Sequence, residues 1–87
     1  MSTDTLHVEI RQSARKHGIS DEDMLHAVQF PQATGRLSAD KTLYLGHNRE
    51  GNTLLEVIVV EATMPSERII HADIARRKFY PFLPANR

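Results

Sequence analysis

Thr53-Leu54-Leu55-Glu56-Val57-Ile58-Val59-Val60-Glu61 is the stretch on which the fold turns, because Val57-Ile58-Val59-Val60 is apolar at every position. A surface strand alternates apolar and polar side chains. A continuous β-branched run instead predicts a strand in the middle of a sheet, covered on both faces. Before it, Thr42-Leu43-Tyr44-Leu45 reads as a partner strand, with His47-Asn48-Arg49-Glu50-Gly51-Asn52 as the turn between them. After it, Thr63-Met64-Pro65-Ser66 makes the next turn and Arg68 to Ala72 a third strand. Arg36-Leu37-Ser38 is a candidate fourth, short strand inside an otherwise polar loop over residues 32–40.

The third strand runs straight into a basic segment. Asp73 to Tyr80 is expected as a C-terminal helix that breaks near Pro81. On that helix Asp73, Arg76, Arg77 and Tyr80 would share the polar side, with Asp73 and Arg77 paired at i,i+4. Ile74, Ala75, Phe79 and Phe82 would lean the other way.

Upstream, the pattern is helical. Leu6, Ile10, Ala14 and His17 form one stripe, although Leu6, Val8 and Ile10 also alternate like a strand. The helix is preferred over residues 6–17, with Gly18 as its terminator. Ser20 then caps a second helix, whose Asp21-Glu22-Asp23 suits the positive end of the helix dipole and which ends at Phe30-Pro31. The expected architecture is α+β: two N-terminal helices, an antiparallel sheet of three to four strands and a C-terminal helix.

At 87 residues this is one domain, with a core over about 6–83 and flexible tails at 1–4 and 84–87. So small a core gains from a partner, and a homodimer is one form that partner takes. There is no cysteine, which excludes disulfides and thiolate chemistry. No apolar run approaches the ~20 residues that span a bilayer, and Met1-Ser2-Thr3-Asp4-Thr5 lacks the features of a signal peptide. The chain reads as soluble, cytoplasmic and free of membrane contact.

The net charge of zero hides an asymmetry. Arg68, Arg76, Arg77, Lys78 and Arg87 face only Asp73 in the last twenty residues, whereas acids outnumber cations in the first forty. The basic end suits a phosphate backbone, and the acidic end a basic partner. A helix-turn-helix reading around His17-Gly18-Ile19-Ser20 fails, since Asp21-Glu22-Asp23 would meet DNA phosphates and be repelled.

Five histidines raise the question of metal, but none shows the His-x-x-x-His spacing of a helical zinc site, and no metal or other cofactor is expected. His7 and His26 read as surface or partly packed helix residues, His47 as part of the turn, and His17 as packed or capping. His71 ends a strand beside Arg68 and the basic segment. There it either moves a proton on a ligand or anchors strand to helix through backbone hydrogen bonds. Arg76 and Arg77 could clamp phosphates in a two-pronged grip, and Tyr80 could stack on a base. The bland reading of each is a solvated helix face.

Lys16-His17-Gly18-Ile19-Ser20-Asp21-Glu22-Asp23, the Gly46–Glu61 hairpin and Arg68-Ile69-Ile70-His71-Ala72 together resemble the BrnT-type toxins of the RelE superfamily, over about residues 10–80. Leu-Leu-Glu-Val on one strand and His-Ala ending another also resemble a group of small, actinobacterial-looking relatives of those toxins. The resemblance implies a RelE-like fold and a bacterial, metal-independent endoribonuclease that cleaves messenger RNA. It also implies a cognate antitoxin protein as partner. Carried over by position, Lys16 and His17 match the family's Lys-His-Gly segment, Arg68 its strand arginine, and Arg76 or Arg77 its helix arginines, while His71 stands where the family has serine. On that reading His71, taking over proton transfer, Arg68 and Arg76 would be catalytic, and Lys16, His17, Arg77 and Tyr80 would bind RNA. Two departures stand out: Asp73 replaces a family arginine, and Pro81 and Pro84 interrupt the C-terminal tail. The alternative, from a different class, is a non-catalytic protein-interaction module of the same fold.

Overall fold

The computed structural model describes residues 8–61 and 67–84. The expected turn over 63–66, His7, Leu6 and most of both expected tails lie outside them. In chain order the elements are β1 (Val8–Ile10), α1 (Gln12–Arg15), α2 (Asp21–Gln29), β2 (Pro31–Arg36), β3 (Lys41–His47), β4 (Leu54–Glu61), β5 (Glu67–Ile74) and a closing 3-10 helix (Arg77–Phe82). The strands form one five-stranded sheet in the order β1-β5-β4-β3-β2, so the apolar strand β4 is central, as its composition requires.

Both faces of β4 are buried. On one, α1 and α2 bring Ala14, Met24 and Ala27 onto Leu55, Val57, Val59, Ile69 and Ala72. On the other, Ala75 and Phe79 of the C-terminal segment cover Leu43 and Leu45, with Ile58 packed alongside. Gly46 lets α2 approach: a Cβ there would fall on the carbonyl oxygen and Cα of Ala27. Ser20 caps α2 by accepting the Asp23 N–H at 3.2 Å, and Gly18 takes the left-handed conformation (φ 80°) that turns the chain between α1 and α2. Arg15 grips Asp21 through Nε (2.9 Å) and Nη2 (2.8 Å), tying the two helices together. Asp23 accepts the backbone N–H and the Nε of Arg49, each at 3.0 Å, tying α2 to the β3–β4 turn.

The structure corrects four expectations. Residues 8–10 are a strand, not part of a helix over 6–17, because parallel pairing with β5 (Val8↔Glu67 to Ile10↔Ile69) engages their backbone and packs Val8 and Ile10 on the core. This pairing also makes the sheet mixed rather than antiparallel, and leaves α1 only four residues long. Residues 31–36 are an edge strand paired with β3, not a loop. Its outward residues are polar because they face water, and Pro31 is tolerated at the first position of an edge strand. Leu37 and Ser38 lie beyond that strand's end. The expected C-terminal helix is also wrong: Asp73 and Ile74 continue β5, opposite Glu56 and Leu55. Arg76 stays extended (ψ 153°), and the helix that follows is a six-residue 3-10 turn containing Pro81. The Asp73–Arg77 pair at helical spacing therefore does not form.

Candidate functional site

A lone acid in an apolar strand needs partners, because an unpaired buried carboxylate is costly. Glu56 is such an acid, fully buried on β4. Its Oε1 accepts the backbone N–H of Arg76 at 2.8 Å, and its Oε2 accepts the Arg76 Nη2 at 2.8 Å and the Arg76 Nε at 3.0 Å. The remaining partner is His71, whose Nε2 lies 2.8 Å from Oε2. Burial pushes the Glu56 carboxyl toward its neutral form, but the Arg76 side-chain and backbone hydrogen bonds and the His71 bond together outweigh it. The net result holds the carboxyl below its ordinary range. Arg76 is raised correspondingly, chiefly by its hydrogen bond to Glu56.

The strand register places these groups. Ile58↔His71, Glu56↔Asp73 and Val60↔Arg68 are cross-strand pairs, so Arg68, His71 and Asp73 project from the same sheet face as Glu56. An irregularity at Ile58/Val59 absorbs Ile70 as an extra residue, which keeps His71 and Arg68 on that face. Ser13 of α1 donates its hydroxyl to the Ile70 carbonyl at 2.7 Å, docking the first helix beside β5. The end of α1 then carries His17 to the site. Its ring meets that of His71 edge-to-face, with centroids 5.6 Å apart, and its Nδ1 lies 3.7 Å from Asp73 Oδ2. The His71 side chain is 22% exposed, His17 35% and Arg76 50%. The row Asp73, His17, His71 thus leads from water to the buried carboxylate of Glu56, which the half-exposed Arg76 also holds.

Of the residues singled out in the sequence, the fold gathers His71, His17 and Arg76, with Arg68 on the same face. Lys16 adjoins His17 as the C-cap of α1, exposed. Arg77 and Tyr80 are exposed on the 3-10 helix. Among the described residues, Lys16, Arg77 and Tyr80 form no hydrogen bond or ion pair with the cluster. His17, expected to be packed or capping, is instead half-exposed and faces His71. His71 is anchored neither through backbone groups nor to a helix, but on a carboxylate.

Glu56 is the member of this cluster that was not singled out from the sequence. Its signal was present: a single charge between Leu55 and Val57 in a run otherwise apolar on both sides. Asp73 was read as a helix residue, and its place on a strand beside His17 follows only from the sheet. His26 and His47 stand apart from the cluster. His26 donates its Nδ1–H to the His47 carbonyl at 3.0 Å, a link between α2 and the end of β3.

Among the described residues, no group of three or more His, Asp or Glu side chains is placed to hold a metal ion. No helix there is long and apolar enough to cross a membrane. Comparison with known proteins identifies no relative: no protein-family model, curated protein or solved structure matches the chain.

Proposed function

We propose that the chain is an endoribonuclease of the BrnT/RelE toxin type, cleaving messenger RNA without a metal and neutralised in the cell by a cognate antitoxin protein. The observation that carries this reading is the meeting of His17 and His71 at 5.6 Å, with His71 braced on buried Glu56. Cleavage of RNA by its own 2′-hydroxyl needs a base, an acid and positive charge around the phosphate.

The tautomers assign the roles. Ionised Glu56 can only accept, so His71 Nε2 carries a hydrogen and the neutral ring offers the lone pair of Nδ1. His71 is then the base: Nδ1 takes the 2′-hydroxyl proton as O2′ attacks phosphorus, and Glu56 stabilises the imidazolium that forms. His17, whose Nδ1 lies 3.7 Å from Asp73 Oδ2, is then the acid and gives a proton to O5′ as the P–O5′ bond breaks. The products are a 2′,3′-cyclic phosphate and a 5′-hydroxyl end. Arg68, Lys16 and the exposed part of Arg76 would hold phosphate, and Arg77 and Tyr80 the neighbouring nucleotide. Incubating a labelled single-stranded RNA with wild-type protein and with His71→Ala at low salt tests the reading. Cleavage by the wild type alone is expected, and an uncut substrate in both reactions ends it.

One observation favours the second reading, a non-catalytic protein-interaction module. Arg76 spends both its backbone N–H and its guanidinium on Glu56, as a structural residue would. Under that reading, substituting His17 leaves partner binding unchanged and there is no chemistry to lose.

A further inference from the structure

We infer that β2 is a dimer edge: two copies of this chain pair their β2 strands antiparallel about Gly35, so that one sheet runs through both. The inference does not depend on the ribonuclease reading.

The sheet order makes β2 a terminal strand, and among the described residues no other strand pairs with its outer side. The backbone bonds decide what that side offers. Leu37 donates its N–H to the Lys41 carbonyl at 2.9 Å, and antiparallel bonding alternates along a strand. Ala33, Gly35 and Leu37 therefore turn their backbone groups toward β3, while Thr34 and Arg36 turn theirs outward. An edge of this kind pairs with another strand unless something blocks it. Here the blocks stand at one end only: Pro31 has no N–H, and the ladder is irregular between Pro31 and Ala33. Arg36, the one charged residue of β2, is engaged within the chain, its Nη1 lying 3.1 Å from Glu61 Oε1.

The side chains beside this edge complement themselves. With Gly35 on the two-fold axis, Thr34 lies opposite the partner's Arg36, and their outward backbone groups bond. Gly35 then meets the partner's Gly35 at a closely spaced position, and Ala33 meets the partner's Leu37. Ala33, Gly35 and Leu37 share the sheet face that the C-terminal segment covers, where Phe82 lies so directly on Gly35 that an added Cβ would strike its ring. In the single chain Leu37 is 38% exposed and Phe82 40%. In the pair Leu37 covers the partner's Ala33, and the two Phe82 rings meet over the glycines.

A second copy fits this edge better than an unrelated strand for two reasons. Residues 33–37 supply both the large side chain of Leu37 and the small positions that receive it, as a two-fold interface requires. The chain also has zero formal net charge, so two copies do not repel. The ladder is short and its area sits at the low end for specific interfaces, so the dimer forms with micromolar rather than nanomolar affinity. β3 and β4 separate β2 from β5, so pairing leaves the His17–His71 cluster open on both copies.

Sedimentation velocity of the full chain over a concentration series tests this in the wild type and in two variants. Thr34→Pro removes an outward N–H that β3 does not use, and Leu37→Glu places an acid at the joint beyond the end of β2. The wild type should pass from the mass of one chain to that of two across about 1–100 μM. Both variants should stay single, with an unchanged circular dichroism spectrum and a dissociation constant raised about tenfold or more. If Thr34→Pro loses its fold, Leu37→Glu alone decides. The register is read by oxidising the double variant Ala33→Cys/Leu37→Cys. Its thiols lie ~13 Å apart along one chain, too far to bridge, but face each other across the axis, so a covalent dimer should form only when both substitutions are present. A wild type that stays single throughout overturns the inference and leaves β2 open to a foreign strand. A dimer that persists in Leu37→Glu places the interface elsewhere and also overturns it. A dimer that Leu37→Glu abolishes but the double variant does not cross-link rules out pairing about Gly35.

Discussion

The buried carboxylate of Glu56 is clamped from two sides by one residue, Arg76, through its backbone N–H at 2.8 Å and its guanidinium Nη2 at 2.8 Å. That double hold fixes the chain where β5 ends. It keeps Arg76 extended, so that the 3-10 helix starts only at Arg77. It also sets the carboxylate against His71, linking the fold to the candidate chemistry.

Stability should fall with acid in a way that depends on Glu56. Its folded pKa is depressed, so its contribution is fully present above the ordinary glutamate range and is lost as pH falls through the lower folded value. Thermal melts of the wild type should therefore drop steeply below about pH 4, whereas Glu56→Gln should show a shallower acid limb. At neutral pH Glu56→Gln should cost ~1–3 kcal/mol, since it weakens charge-assisted bonds to two partners inside the sheet. Parallel pH curves for the two proteins would contradict the assignment.

Glycines should separate by what surrounds them. Gly46→Ala would drive a Cβ into the backbone of Ala27, at 2.8 Å from its Cα, and should cost ~1–3 kcal/mol in urea denaturation. Gly18→Ala meets no atom within 4 Å but must keep φ at 80°, so its cost of ~1 kcal/mol comes from the backbone alone. Finding Gly18→Ala the worse of the two would mean that α2 does not press on β3 as described.

Binding to single-stranded RNA should be steeply salt-dependent. Lys16, Arg68, Arg77 and Lys78 form no ion pair with another described residue, and are the cations expected to meet phosphates. Lys16→Ala and Arg77→Ala should each weaken binding uniformly across sequences and reduce the slope of log affinity against log salt by ~0.7. Fluorescence anisotropy across a salt series measures this, and an unchanged slope would remove both residues from the interface.

Legibility in the sequence followed the range of the interactions involved. The helix α2 was readable because Ser20 and three acids mark its start locally and Phe30-Pro31 its end. The central strand was readable because Val57 to Val60 leave no polar face. Val8-Glu9-Ile10 was not, since three residues fit both periods and only the distant β5 decides between them. Pro31 to Arg36 looked like a loop because an edge strand buries little. Asp73 and Ile74 looked helical because their pairing with Glu56 and Leu55 is invisible locally. His71 was noticed for its place at a strand end. Its partners were hidden: Glu56 lies 15 residues away and His17 on another element. The charge of Glu56 inside an apolar run was the one local clue that something had to meet it.

The most direct test of the central claim is the pH–rate profile of RNA cleavage by wild-type protein beside His71→Ala, His17→Gln and Glu56→Gln, each checked for an intact melting transition. The wild type should give a bell, set by one histidine acting as base and the other as acid. Either histidine variant should lose at least a hundredfold, and Glu56→Gln should show a lowered rate with the acidic limb of the bell, the limb set by the base His71, moved. Cleavage that survives His71→Ala and His17→Gln with an unchanged profile would contradict it.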